Sequence, residues 1–136
     1  MKISAKAEYA CLAALALARH RPDEPPLRIR EISESQAIPE RYLVQILLQL
    51  KGAGLVNSTR GALGGYRLAR SPESISIGEV LSAIDGPDAP SRDSKEPSAQ
   101  ALAVVWGHVR AAEKAVLDQI TLANLASQTS PREWVI

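Results

Sequence analysis

The stretch Leu55–Arg70, LVNSTRGALGGYRLAR, decides how this chain folds. Alternating residues on each side of a glycine-rich centre predict two short strands joined by a turn. Gly64 and Gly65 allow the backbone to take positive φ and to approach another molecule closely. A pair of short helices is predicted directly upstream, and a helix pair followed by a basic hairpin is typical of a winged helix-turn-helix. The stretch therefore predicts a DNA-binding domain.

Three helices are predicted before the hairpin. Ser4 can cap the first, which runs to about Arg19, and the second covers Ile29 to about Gln36. Pro39 suits the first turn of the third, which runs to about Lys51. The inward face of the third helix follows i, i+3, i+4, i+7 spacing and consists of Leu43, Ile46, Leu47 and Leu50.

The third helix is the predicted recognition helix. Its outward Arg and Gln residues can make paired hydrogen bonds to guanine and adenine edges in the major groove. Arg60 and the turn beside it would reach the DNA backbone or a narrow, negative minor groove. The predicted DNA-binding residues are Arg28, Pro39, Glu40, Arg41, Tyr42, Val44, Gln45, Gln49, Arg60, Gly61, Gly64, Gly65, Tyr66 and Arg67.

The second half of the chain predicts an assembly element. Ser76 caps a helix over roughly Ile77–Ile84, and a long helix is predicted over about Ala99–Leu122. Its apolar stripe needs a partner, and a second copy of the chain is the simplest one. The predicted dimerisation residues are Leu102, Val105, Val109, Ala112, Val116 and Ile120, with Trp106 and Leu117 on the same stripe.

These elements predict a mainly α fold with a small β wing. The expected organisation is a winged helix-turn-helix domain over 1–85, a flexible loop over 86–98, a dimerisation helix over 99–125 and a tail over 126–136. The net charge of the 136 residues is only +1. Residues 1–70 nevertheless hold 11 Lys and Arg against 6 Asp and Glu, whereas residues 71–136 hold 5 against 9. A basic front and an acidic back fit a nucleic-acid-binding end and a separate assembly end.

Composition excludes several other classes of protein. Cys11 is the only cysteine, which rules out an internal disulfide and a multi-cysteine zinc or iron–sulfur site within one chain. Because Cys11 lies in the packed first helix, we interpret it as a small buried hydrophobic residue rather than a redox sensor. No phosphate-binding loop and no nucleophile constellation around His20 or His108 is present, so we expect neither an enzyme nor a bound cofactor. Without a signal peptide or a membrane-spanning run, we expect a cytoplasmic protein with no membrane partner.

The same motifs resemble the Rrf2 family of bacterial winged-helix regulators. MKISAKAEYA is similar to the family's opening helix, ERYLVQILLQLKGAGLV to its recognition helix, and STRGALGGYRLAR to its wing. ISIGEVLSAIDGP and DQITLANL also match. The resemblance covers nearly the whole chain up to about Leu125. It implies a homodimer, with the long helix crossing to the partner subunit, that binds a roughly two-fold operator and usually represses transcription.

The chain departs from the family pattern in two places. Cluster-bearing members carry three cysteines before a tryptophan that matches Trp106, whereas this chain has Gln100 at the last cysteine position and Ala103 at the histidine position. Glu8, where some members supply a carboxylate ligand, cannot hold a cluster alone. The resemblance therefore implies a cluster-free member without a metal. Val44 replaces a common acidic residue, so its contact would be apolar, for instance to a thymine methyl group, and the operator should differ.

Two functions remain open. The first is a sequence-specific, dimeric transcriptional repressor on a palindromic operator. The second is a winged-helix module that regulates a partner enzyme by binding it. Arg41, Gln45, Arg60 and Arg67 favour the first, because a module without DNA has no reason to keep all four on one side. The effector, whether a small molecule, a partner protein or a thiol modification, stays open.

Overall fold

The computed structural model describes residues 2–62, 64–86 and 95–128. The predicted flexible loop falls partly, and the predicted tail mostly, outside these residues. Within them the fold is helical with one two-stranded antiparallel sheet, which confirms the predicted fold class. The elements are α1 (Ala5–Arg19), α2 (Ile29–Gln36), α3 (Glu40–Gly52), β1 (Val56–Thr59), β2 (Gly65–Leu68), a 3₁₀ turn (Pro72–Ser74), α4 (Ile77–Asp85), α5 (Pro97–Gln119) and α6 (Leu122–Gln128).

Helix α1 forms the centre of the fold because its buried face is built mostly of alanine. Ala7, Ala10 and Ala13 have no exposed surface, and side chains this small let several helices approach α1 closely. Helices α2, α3, α4 and α6 all pack against it. Its first turn is fixed by the Ser4 hydroxyl, which accepts a hydrogen bond from the Ala7 N–H at 3.1 Å, as predicted.

Helices α2 and α3 form the helix-turn-helix pair. Between them Ala37 takes a left-handed conformation with φ of 55°, and the next residue, Ile38, is buried. On α3 the predicted inward face is confirmed, since its four members have no exposed surface. This burial fixes which face of α3 points outward, and the residues with no exposure are Leu43, Ile46, Leu47 and Leu50.

The wing is a hairpin braced by the segment before α2. Strands β1 and β2 pair antiparallel from Val56 opposite Leu68 to Thr59 opposite Gly65. Leu27 extends this pairing: its N–H donates to the Tyr66 carbonyl at 3.1 Å and its carbonyl accepts from the Tyr66 N–H at 2.7 Å. The wing is therefore attached to the entrance of α2 as well as to the exit of α3.

In the C-terminal region two helices replace the single helix that was predicted over Ala99–Leu122. Helix α5 ends at Gln119, and Thr121 pairs with Ser76 before α6 begins. Leu122 has no exposed surface and belongs to the core, so the chain returns to the domain instead of leaving it. Only one face of α5 is partly covered by the rest of the chain, and it contains Ala99, Ala103, Gly107, Arg110, Glu113 and Leu117, with Ile120 following just after the helix.

Candidate nucleic-acid interface

The outward face of α3 is exposed and mixed in character. Burial of its opposite face leaves Glu40, Arg41, Val44 and Gln45 in solvent, as the sequence predicts. The structure adds Leu48, which is 61 % exposed and lies one helical turn beyond Val44. The same helical spacing that identified Val44 could have identified Leu48. A basic, an amide and two aliphatic side chains therefore share this surface.

The beginning of α3 carries a stack of aromatic and basic side chains. The Arg41 guanidinium carbon lies 4.9 Å from the centroid of the Tyr42 ring, and Arg41 Nη2 donates to the Tyr42 hydroxyl at 3.4 Å. The Tyr42 ring centroid also lies 6.2 Å from that of Tyr9 on α1. Pro39 occupies the cap position just before α3, where its carbonyl accepts from the N–H groups of Tyr42 and Leu43. Tyr9 was not among the residues singled out from the sequence.

Gln49 does not join the exposed face, contrary to the sequence prediction. It is half-buried, and its Nε2 donates to the Ile84 carbonyl at the end of α4 at 3.4 Å. Its Oε1 is buried without a hydrogen-bond partner among the described residues. Helical spacing places Gln49 at the border between the buried and exposed faces of α3, and its hydrogen bond to α4 orients the side chain inward.

The turn of the wing is held beside α3 by two basic side chains. Lys51 Nζ, in the last turn of α3, donates to the Ser58 hydroxyl on β1 at 2.7 Å. Arg28 Nη2 donates to the carbonyl of Ala62 in the turn. Arg60 and Gly61 are exposed at this turn. Arg28, predicted to bind DNA, therefore has an internal role as well, because its guanidinium secures the turn that carries Arg60.

Gly64 and Gly65 are both required by the packing of the wing itself. A Cβ atom on Gly65 would overlap the carbonyl oxygen of Leu27, and one on Gly64 would overlap that of Thr59. Tyr66, the next residue, is half-buried and pairs with Leu27 through its backbone. These two glycines thus allow close backbone approaches within the chain.

Arg67 is also directed differently from the prediction. Its Nη2 donates to the Glu24 carbonyl in the loop after α1, and the residue is half-buried. Of the four residues that favoured DNA binding, Arg41, Gln45 and Arg60 remain exposed and Arg67 ties two segments of the domain together.

A second exposed surface lies on α5. Leu102 is 52 % and Val116 is 58 % exposed, and Val105 and Val109 are similarly open. These are residues predicted to form the dimer contact, and Ala112 is exposed with them. Ile120, predicted on the same stripe, instead packs against the core, and its carbonyl accepts from the Ile77 N–H at 2.8 Å. Trp106 and Val104 are further exposed apolar residues of α5.

Cys11 is in an environment that disfavours the thiolate. Burial, and then the negative charges of Glu8 and Asp85, raise the pKa of the Cys11 thiol to about 11. A reactive cysteine needs a lowered pKa, so this thiol matches the small hydrophobe that the sequence predicts.

Across the described part of the chain, no helix is long and apolar enough to cross a membrane.

Comparisons with known proteins agree with this geometry. Residues 3–128 match the Rrf2 family, described as iron-dependent transcriptional regulators. The transcriptional regulator CymR of Bacillus subtilis is 38 % identical over 131 residues, which cover 95 % of this chain and 92 % of CymR. Its solved structure, described as that of the global cysteine regulator, superposes with a TM-score of 0.80 and 36 % identity over 96 % of this chain and 99 % of CymR. The structure of T. potens IscR gives a TM-score of 0.81 and 32 % identity over 100 % of this chain and 93 % of IscR.

The iron in the family description does not fit the donor atoms of this chain. Cys11 is the only thiol in the sequence, and its raised pKa opposes the thiolate that a metal requires. In residues 2–62, 64–86 and 95–128, no group of three or more His, Cys, Asp and Glu side chains could hold a metal ion. The described residues and the single thiol of the sequence therefore do not fit an iron–sulfur cluster.

The fold superposes on that of the solved relatives, and the sequence match extends over nearly the whole chain. The relatives are transcriptional regulators, not enzymes. The chain belongs to the Rrf2 family and is a DNA-binding transcriptional regulator.

Proposed function

We propose that the protein is a homodimeric repressor that binds a palindromic operator through α3 and the wing of each subunit. The observation that supports this most strongly is the surface shared by Arg41 and Gln45 on α3 and Arg60 on the wing. All three are exposed, while the hydrogen bonds of Lys51 and Arg28 hold the wing to the two helices. One rigid unit would thus present both a base-reading helix and a basic anchor.

Base reading belongs to α3 in this proposal. Arg41 can make a bidentate contact to guanine and Gln45 to adenine in the major groove. Val44 and Leu48 add two exposed apolar groups, which suit the methyl group of thymine. We therefore expect a half-site that combines a guanine, an adenine and at least one thymine.

Anchoring belongs to the wing. Arg60 is exposed on the turn, and Gly61 beside it has φ of 105°, which only glycine adopts readily. Arg60 would contact phosphate or enter a narrow minor groove, so its contribution should depend on salt or on A·T content.

Dimerisation would use the exposed apolar face of α5. Its apolar side chains are about half exposed in the described part of the chain, and a contiguous apolar surface of this kind marks an association site. A second copy places the same stripe opposite itself across a two-fold axis. Two recognition helices related in this way require an inverted repeat in the DNA.

The signal would be a small molecule or a partner protein. A cluster is disfavoured by the missing ligands, and the raised pKa of Cys11 disfavours thiol modification. The B. subtilis relative is described as a cysteine regulator, which makes sulfur metabolites reasonable ligands to test first.

Selection from random double-stranded DNA tests the proposal. Purified protein should enrich an inverted repeat with half-sites about one or two helical turns apart, and its affinity should fall steeply with salt. Protein added to in vitro transcription from a promoter containing this repeat should lower transcript yield. Enrichment of no sequence, or of a site without two-fold symmetry, would contradict the proposal.

A further inference from the structure

We propose that Tyr9, on α1, is a positioning residue that holds Arg41 for base reading by supporting the ring of Tyr42. The inference rests on the proposed function and deepens it, because it assigns part of the operator specificity to a residue outside the recognition helix. The structural basis is the continuous Tyr9–Tyr42–Arg41 stack.

The two contacts of the stack both lie within the distances of attractive interactions. The Tyr9 and Tyr42 ring centroids are 6.2 Å apart, within the distance range of attractive aromatic pairs, and the rings are tilted by 32°. The Arg41 guanidinium carbon lies 4.9 Å from the Tyr42 centroid, within the distance of a cation–π contact. Tyr42 itself is 40 % exposed, so part of its surface faces solvent.

Tyr9 can act as a support because it is held by the core. It is half-buried, packs against the core cluster and lies next to Ala10, which has no exposed surface. Arg41 is exposed on the first turn of α3, where an arginine would otherwise sample many rotamers. A fixed ring beneath the guanidinium reduces that freedom before DNA arrives, and preorganisation of this kind lowers the entropic cost of binding.

The stack leaves Arg41 able to read a base. A guanidinium has five N–H donors, and one is directed to the Tyr42 hydroxyl at 3.4 Å. The contact with the ring uses the π face and consumes no further donor. The remaining donors can therefore make a bidentate contact to guanine, and the ring selects the direction in which they point.

The test measures discrimination between base pairs rather than affinity alone. The dissociation constant is measured for the selected operator and for a set with each half-site base pair replaced in turn. Arg41→Ala should lose discrimination at one base pair, and Tyr9→Leu should reduce it about two- to fivefold at that same base pair. Tyr42→Leu should reduce discrimination as Tyr9→Leu does. Tyr9→Phe keeps the ring and should therefore retain the discrimination of the wild-type protein.

A double-mutant cycle separates positioning from simple packing. In the Arg41→Ala background, Tyr9→Leu should cause no further loss of discrimination at that base pair. The inference would be overturned if Tyr9→Leu lowered the affinity for every operator equally, or if it still reduced discrimination in the Arg41→Ala background. It would also be overturned if Arg41→Ala left discrimination unchanged. Failure of the wild-type protein to select any operator would instead refute the proposed function.

Discussion

At the scale of single residues, Cys11 is a thiol that the fold keeps protonated. Burial and the carboxylates of Glu8 and Asp85 raise its pKa to about 11 from an ordinary value of 9.0. The thiolate fraction at pH 8 should therefore be about a hundredfold lower than in the unfolded chain. Alkylation with iodoacetamide should be correspondingly slow in the folded protein and fast in urea, and equal rates in the two states would contradict this assignment.

The same shift predicts how stability depends on pH. A thiol whose pKa is higher in the folded state stabilises the fold at pH values below its unfolded pKa, and this contribution is lost as pH rises from about 9 to about 11. Unfolding by urea across this range should show a falling free energy of unfolding. Cys11→Ala should make the free energy of unfolding fall less steeply with pH in this range. A pH dependence equal to that of the wild-type protein would contradict the prediction.

Gln49 and Arg67 show which side-chain orientations could not be predicted from the sequence. The exposed Arg41, Val44 and Gln45 follow from helical spacing, because the buried face of α3 is strongly apolar. Gln49 bonds to Ile84, 35 positions away, and Arg67 bonds to Glu24, 43 positions away. Local periodicity carries no information about such partners, so the half-burial of both side chains could not be predicted from the sequence.

At the scale of elements, the wing depends on Arg28. The Arg28 guanidinium holds the Ala62 carbonyl, while its backbone N–H donates to Glu31 Oε1 at 3.1 Å and fixes the start of α2. Arg28→Ala removes the first interaction and keeps the second. We expect faster amide hydrogen exchange in residues 60–64 and operator binding weaker by about 0.5–1.5 kcal/mol.

Arg30→Ala provides the matched control for this prediction. Arg30 is an exposed arginine of the same helix whose ion pair with Glu34 is long, at 4.0 Å, and such surface pairs contribute little. Equal exchange rates in the wing of Arg28→Ala and of Arg30→Ala would show that Arg28 does not secure the wing.

The limits of helices α1 to α4 could be predicted because caps and apolar spacing are local signals. The break between α5 and α6 also has a local signal that was missed. Thr121 Oγ1 accepts from the Asn124 N–H at 3.1 Å, and Asn124 Oδ1 accepts from the Thr121 N–H at 3.2 Å, which is a reciprocal cap. The return of α6 to the core, in contrast, depends on the pairing of Thr121 with the distant Ser76.

At the scale of the whole molecule, binding to an inverted repeat requires two subunits. Val109→Glu combined with Val116→Glu places four carboxylates in the proposed α5 interface of a dimer, and charges there are costly to bury. Analytical ultracentrifugation should show a monomer for this variant and a dimer for the wild-type protein. A dimer that persists would assign the interface elsewhere.

Val104→Glu provides the control for the dimer prediction. Val104 is an equally exposed valine of α5, but helical geometry places it about 140° from Val109 around the axis. This variant should remain dimeric, and its dissociation would mean that charge on α5 in general, rather than on the stripe, disrupts assembly.

The single cysteine of the sequence predicts a regulator without an iron–sulfur cluster. Anaerobic incubation with iron and sulfide, followed by gel filtration, should leave no stoichiometric iron and no visible charge-transfer band. The chain offers one thiol, Cys11, which favours its protonated form. Stoichiometric iron in the purified protein would overturn this prediction.

The most direct test of the central claim is a salt titration of operator binding by the wild-type protein, Gln45→Ala and Arg60→Ala. Gln45→Ala should weaken binding to the operator by roughly 1–3 kcal/mol, relax specificity at one base step and leave the salt slope unchanged. Arg60→Ala should weaken binding to most sequences and flatten the salt slope if its contact is to phosphate, or lose most on A·T-rich sites if it enters the minor groove. If both variants kept wild-type affinity, specificity and salt slope, α3 and the wing would not be the DNA-binding surface.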